Sequence, residues 1–169
     1  PRGPGPLARE AIAVASAQIG LYPDGNGYAL KRALAEKHGC AIQSITLGNG
    51  SNDVLVMLAE AFLTPAAEAI YSQYAFAVYP IAVQASGAQA RVAPALAPDN
   101  SMPLGHDLAA MAALVSDRTR LVFIANPNNP TGTFLRARPL RAFIETLPAT
   151  TLVVVDEAYI EYVDDSEFP

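Results

Sequence analysis

Three short stretches carry residues able to do chemistry on a flat, charged ligand. Asp156 follows directly on Leu152-Val153-Val154-Val155, an apolar run that reads as a buried strand. An ionised carboxylate at the end of such a strand is costly unless a cation or several donors meet it, and a protonated ring nitrogen would be such a cation. The plainer alternative is a helix N-cap or a structural ion pair. Glu157 is adjacent, but neighbouring strand residues point to opposite faces. Tyr159 places a phenol within reach of the same ligand.

The second stretch is Asn126-Pro127-Asn128-Asn129-Pro130-Thr131-Gly132. Pro130 fixes its own φ and pushes Asn129 toward extended geometry, which gives the Asn129 amide a set direction. A rigid surface turn would need a single such pair, whereas this segment follows a fully apolar strand end, where α/β proteins place ligands. The third is Gly48-Asn49-Gly50-Ser51-Asn52, between a strand candidate and a helix. Glycines there admit a sharp turn, and the free N–H groups at the helix start attract an anion such as phosphate, with Ser51 and Asn52 as further donors. The same residues also suit an ordinary glycine turn with a polar N-cap. No lysine follows the glycines, so this is not a Walker A loop, and Asp53 stands where a dinucleotide fingerprint needs its third glycine.

Tyr74, Phe76 and Tyr79 follow another strand, where an aromatic could lie over a planar ring or simply fill the core. Tyr22, beside Pro23, is a similar aromatic in a turn. His38 ends a helix and His106 precedes one, so both read as cap or surface residues. Cys40 is the single cysteine, with no metal-ligand spacing around it, and reads as packing or surface.

The elements that must position these groups alternate along the chain. Helical spacing is expected at residues 7–18, 29–38, 53–63, 75–85 with a distortion at Pro80, 107–115 and 140–147. Strands are expected at 44–47, 68–71, 90–95, 120–125 and 152–155. The Val/Ile/Leu runs are continuous rather than alternating, which predicts an α/β fold with a mostly parallel sheet between helix layers. The 169 residues, 51% of them apolar, suffice for one ordinary core. The net charge of −5 and the loose grouping of basic residues argue against nucleic acid or an anionic membrane as partner. The proline- and glycine-rich start lacks the apolar core of a signal peptide, and a cytoplasmic location is expected.

Asn128-Asn129-Pro130-Thr131-Gly132, followed by Asp156-Glu157-Ala158-Tyr159, resembles the fold type I pyridoxal-phosphate aminotransferases. The longer forms N-P-N-N-P-T-G, V-D-E-A-Y-I-E-Y, R-G-P-G-P-L-A-R-E-A and Y-P-D-G-N-G-Y-A-L-K are most similar to the histidinol-phosphate aminotransferases of that family. The resemblance implies pyridoxal 5'-phosphate as cofactor and transfer of an amino group between glutamate and imidazole-acetol phosphate, in histidine biosynthesis. It implies that Asp156 keeps the pyridinium nitrogen protonated, strengthening the electron sink, and that Asn129 and Tyr159 hydrogen-bond the ring oxygen. It further implies that Gly50, Ser51 and Asn52 bind the phosphate and that Phe76 stacks on the ring, with Tyr74 as the alternative. Tyr22 would reach the phosphate in the opposite subunit of a homodimer.

On that resemblance residues 1–27 form an arm, a helix and an inter-subunit turn, and 28–169 part of a large cofactor-binding domain. The remainder of that domain and a small C-terminal one are expected outside these residues. The Schiff-base lysine, a phosphate-binding arginine and the substrate-holding arginine are expected beyond Pro169, since Lys31 and Lys37 stand at no matching position. A related aromatic aminotransferase or threonine-phosphate decarboxylase would keep every residue named. So would a cofactor-binding domain without catalysis.

Overall fold

The uninterrupted apolar run at residues 121–124 must be covered on both faces, and the computed structural model, which describes residues 3–169, buries it completely within a sheet. The chain divides into two compact units, Pro1–Leu47 and Gly48–Pro169. The first two residues of the expected arm lie outside the described residues.

In the first unit, helix α1 (Pro6–Ser16) opens with a proline, tolerated there because the N–H it lacks would have no intrahelical acceptor. None of its residues is buried. Helix α2 (Tyr28–His38) starts where Asp24 accepts hydrogen bonds from the backbone N–H of Tyr28 at 2.8 Å and of Asn26 at 3.0 Å. Those two donors, Tyr28 foremost, hold the Asp24 carboxyl below the usual carboxylate range. Gly39 ends the helix in the left-handed region at φ 63°. The strand expected at 44–47 is not among the described strands. The chain makes a 3-10 turn at Ile42–Ser44, and Ile45 is extended at φ −111°, ψ 122°. Its local geometry is strand-like, but no neighbouring strand pairs with it, and an unpaired segment has no ladder to satisfy its backbone groups.

The second unit alternates helix and strand: α3 (Ser51–Phe62), β1 (Glu68–Ser72), α4 (Val78–Ala85), β2 (Gln89–Ala93), α5 (Leu108–Ala113), β3 (Thr119–Ala125), α6 (Ala137–Glu145) and β4 (Leu152–Asp156). The four strands pair in parallel in the order β2-β1-β3-β4, as the continuous apolar runs predict. Leu121, Phe123 and Ala125 face one core with Leu55, Ala59, Tyr79 and Val83. Val122 and Ile124 face the other with Ile70, Met111, Leu140 and Phe143. Burying side chains of this size contributes about 1.5–3 kcal/mol each relative to exposure, which fixes the register of the central strand.

Two further expectations need correction. Helix α4 begins at Val78 rather than at 75, and Pro80 sits in its first turn, where the N–H it lacks would have no intrahelical acceptor. Residues 75–77 therefore stay outside the helix, and Phe76 is held in a loop. His106 is buried, not a surface or capping residue. It forms a bridge with Ala95, and its Nε2 lies 2.8 Å from the carbonyl oxygen of Ala125 at the end of β3.

Burial pushes the His106 pKa below the ordinary histidine value and outweighs the Ala125 carbonyl, which raises it. The unfolded chain therefore takes up this proton at a higher pH than the fold does. His106 thus favours the fold fully above about pH 6.5, and that contribution falls as pH drops through the interval down to the folded value. The urea midpoint is expected to be lower at about pH 5.5 than at about pH 7.5, with a smaller difference in His106→Gln. An identical pH dependence in that variant would contradict the assignment.

Candidate functional site

In the strand order β2-β1-β3-β4 the chain turns one way from β1 and the other way from β3, so the loops after these adjacent strands diverge. A crevice opens at the carboxyl ends of parallel strands at such a switch point. The loop after β1 supplies Phe76, the loop after β3 supplies Asn129, and β4 ends in Asp156, paired in register with Ala125. The N-terminus of α3 supplies Ser51. Ser51, Phe76, Ala125, Pro127, Asn129, Asp156, Ala158 and Tyr159 line one cleft of about 140 Å³. A wider cleft of about 600 Å³ shares Pro127, Asn129 and Tyr159 with it and runs on to Tyr162, Asp164 and Asp165. The smaller cleft is the one that brings Asp156 together with Ser51, Phe76, Asn129 and Tyr159.

Asp156 is half-buried. Its Oδ2 accepts a hydrogen bond from the Tyr79 phenol at 2.8 Å, and its Oδ1 accepts one from the backbone N–H of Ala158 at 3.2 Å. Among the described residues it has no ion-pair partner. The other carboxylate in the sheet, Glu68 at the start of β1, is fully buried and meets Arg118 and Arg91. Glu68 has its cations within the chain, whereas Asp156 presents its charge to a cleft. Glu157 lies on the opposite side, against α6 with Leu140 and Arg141, as strand alternation requires.

The three asparagines of the loop after β3 divide their work. Asn126 is fully buried, and its side chain mimics a strand partner for Leu135, accepting from its N–H at 2.7 Å and donating to its carbonyl at 3.1 Å. Asn128, also buried, donates through Nδ2 to the Tyr74 carbonyl at 2.7 Å and to Thr131 Oγ1 at 2.8 Å. That bond ties the Phe76 loop to the Asn129 loop. The Asn129 side chain takes part in none of these bonds and lines the cleft. The Asn126 side chain and the Asn128 amide nitrogen are thus taken up within the fold, while the Asn129 side chain is at the cleft.

The turn before α3 is shaped by Asp53. Its Oδ2 accepts from the backbone N–H of Asn49 at 2.9 Å and from the Asn49 side chain at 2.8 Å, which holds the carboxyl below its usual range. A Cβ on Gly48 would come within 2.8 Å of the Asp53 Cβ, so this close approach requires glycine. Gly50 stands at φ 77°, ψ 179°, a conformation open to glycine, and caps α3 with no side-chain hydrogen bond. The first N–H groups of α3 thus remain available to an anion.

Of the residues singled out in the sequence, Ser51, Phe76, Asn129, Asp156 and Tyr159 share the cleft, and Gly50 and Asn52 belong to the same turn as Ser51. Tyr74 does not line the cleft; its carbonyl serves Asn128. Tyr22 is fully exposed in the first unit. Sequence reading missed the bonds that Tyr79, Asn126, Asn128 and Asp53 make around the site.

Replacing Asn126 by Ala removes both partners of the Leu135 backbone groups that it clasps. The expected loss is about 2–4 kcal/mol, measured as a lower urea midpoint at unchanged slope. A shift below about 0.5 kcal/mol would show that the clasp does not hold the loop.

The aminotransferase class I and II family pattern matches residues 5–168. The chain is 54% identical over all 169 residues to histidinol-phosphate aminotransferase 2 of Pseudomonas fluorescens, and spans 44% of that protein's length. It is 52% identical over 169 residues to the same-named protein of Pseudomonas aeruginosa, again over 44% of its length. Among solved structures, histidinol-phosphate aminotransferase from Sinorhizobium meliloti in complex with pyridoxal-5'-phosphate matches with TM-score 0.89 and 30% identity, over 99% of this chain and 44% of that one. N-succinyldiaminopimelate aminotransferase from Mycobacterium tuberculosis matches with TM-score 0.86 and 26% identity, over 99% of this chain and 46% of that one. The parallel sheet with helices on both faces is that of the fold type I aminotransferases. A crevice at the switch point, a carboxylate ending β4 and a match over nearly every residue agree: the chain belongs to the aminotransferase class I and II family.

Proposed function

We propose that the full-length polypeptide carrying these residues is a pyridoxal-phosphate-dependent histidinol-phosphate aminotransferase, exchanging an amino group between glutamate and imidazole-acetol phosphate in histidine biosynthesis. The observation that carries this reading is Asp156: half-buried, met by a phenol and an N–H, and without a cation among the described residues. The groups around it fit the cofactor in kind. A carboxylate suits a protonated ring nitrogen, an amide and a phenol suit a ring oxygen, an aromatic suits the ring face, and an uncapped helix N-terminus suits a phosphate.

Bound there, pyridoxal phosphate supplies an electron sink for bonds at the substrate's α-carbon. Asp156 holds the proton on the ring nitrogen. The Asn129 amide and the Tyr159 phenol donate to the ring oxygen, and Phe76 covers one ring face against water. The N–H groups of α3, with Gly50, Ser51 and Asn52, grip the phosphate. The helix field contributes about 0.3–1 kcal/mol, so several hydrogen bonds must act together.

In this reading the Schiff-base lysine and the two arginines belong to the polypeptide outside these residues. Residues 28–169 form part of a large cofactor-binding domain, and residues 1–27 the arm and inter-subunit turn. The full exposure of Tyr22 supports a homodimer in which Tyr22 reaches the opposite subunit's phosphate, and a cytoplasmic location goes with the biosynthetic reading. Identities of 52–54% to histidinol-phosphate aminotransferases support this substrate over an aromatic amino acid or threonine phosphate.

The full-length polypeptide given pyridoxal phosphate is expected to develop a visible cofactor band that glutamate bleaches, and to turn over histidinol phosphate faster than tyrosine. Asp156→Ala should lower turnover on the order of 10³-fold, about 4 kcal/mol of transition-state stabilisation, with little change in melting temperature. Normal turnover in that variant would refute the role of Asp156, and the absence of a cofactor band would refute the reading as a whole.

A further inference from the structure

Tyr79 is fully buried, yet its phenol reaches the cleft wall and donates to Asp156 Oδ2 at 2.8 Å. Its ring stacks on Phe123 of β3 at 4.9 Å between centroids and 12° between planes. It also meets Phe76 edge-on at 5.9 Å and 88°, and its backbone N–H donates to the Phe76 carbonyl at 3.1 Å. One side chain therefore touches both the carboxylate and the aromatic of the cleft, which the chain supplies from β4 and from the loop after β1. We infer that Tyr79 is a positioning residue that fixes the Asp156 carboxylate and the Phe76 ring relative to each other, setting the edge and the face between which a cofactor ring is held.

The chemistry of the contact favours this assignment. Burial first, then the charge of Asp156 and the bond to it, push the Tyr79 phenol far above the usual phenol range. The phenol stays protonated and acts as a fixed donor. Tyr79 occupies one oxygen and the Ala158 N–H the other, so the carboxylate plane is set from two sides and cannot swing out of the cleft. Stacking on Phe123 anchors the phenol to the central strand rather than to a loop.

This inference rests on the proposed role of Asp156, and the test separates the two. Tyr79→Phe keeps the ring and its packing and deletes one hydroxyl. In the full-length polypeptide it is expected to weaken pyridoxal phosphate binding about tenfold and to slow the glutamate half-reaction about tenfold, with the KM for glutamate within about twofold. Added to Asp156→Ala, which leaves the hydroxyl no side-chain acceptor at 156, the same change is expected to have no further effect, because the hydroxyl acts through the carboxylate. Unchanged cofactor affinity and rate in Tyr79→Phe, with Asp156→Ala impaired, would overturn the role of Tyr79 and leave the proposed function standing. Equal losses in both backgrounds would also overturn it, since the hydroxyl would then act independently of Asp156. A fully active Asp156→Ala would overturn the reading on which both rest.

Discussion

A carboxylate at the end of a covered strand is a demanding thing to build, and Asp156 sets the terms for its surroundings. It loses part of its hydration and gains two donors, a phenol and a backbone N–H, in place of water. Two neutral donors orient a carboxylate without neutralising it. Glu68, at the far end of the same sheet, shows the contrasting solution, with two arginines and the Ser116 hydroxyl closing around it. One sheet thus carries a carboxylate paired with arginines at its amino end and, at its carboxyl end, a carboxylate that lines a cleft without a cation among the described residues. The second arrangement needs neighbouring loops held in place, so that the two donors stay aimed at the carboxylate.

That rigidity comes from polar side chains spent on backbone. Asn126 clasps Leu135, Asn128 ties the loop after β3 to the loop after β1, and Asp53 folds the glycine turn back on Asn49. His106 occupies the carbonyl of Ala125, the residue paired in register with Asp156. Asn126, Asn128 and His106 satisfy backbone groups beyond or at the ends of β1 and β3, Asp53 satisfies the turn before α3, and together they fix the cleft wall. The wall is therefore preorganised by bonds that do not themselves touch the cleft.

Much of this was readable in the residues, and the division has a physical cause. The ends of β3 and β4 were legible because an apolar run stopping at polar residues is a local signal. The glycine turn was legible for the same reason. Phe76 and Tyr74 stand two residues apart in a segment that is hard to register, and Pro80 suggests a distortion inside a helix starting at 75. A proline in the first turn instead marks where α4 begins, and that rule would have left Phe76 in the loop. Tyr79 and Asp156 are 77 residues apart, and no local pattern links them. The three asparagines look alike in the chain, since their roles depend on Leu135 and Tyr74, brought close by the fold. Residues 44–47 carry a strand-like pattern and Ile45 is extended, but a strand also needs a neighbour, which local sequence does not reveal.

The most direct test is a crystal structure of the full-length polypeptide grown with pyridoxal phosphate. The account predicts the pyridine nitrogen about 2.7–2.9 Å from an Asp156 carboxylate oxygen, with the Asn129 amide at the ring oxygen and the phosphate on the turn at residues 50–52. A ring nitrogen facing any other group, or a phosphate seated away from that turn, would contradict it.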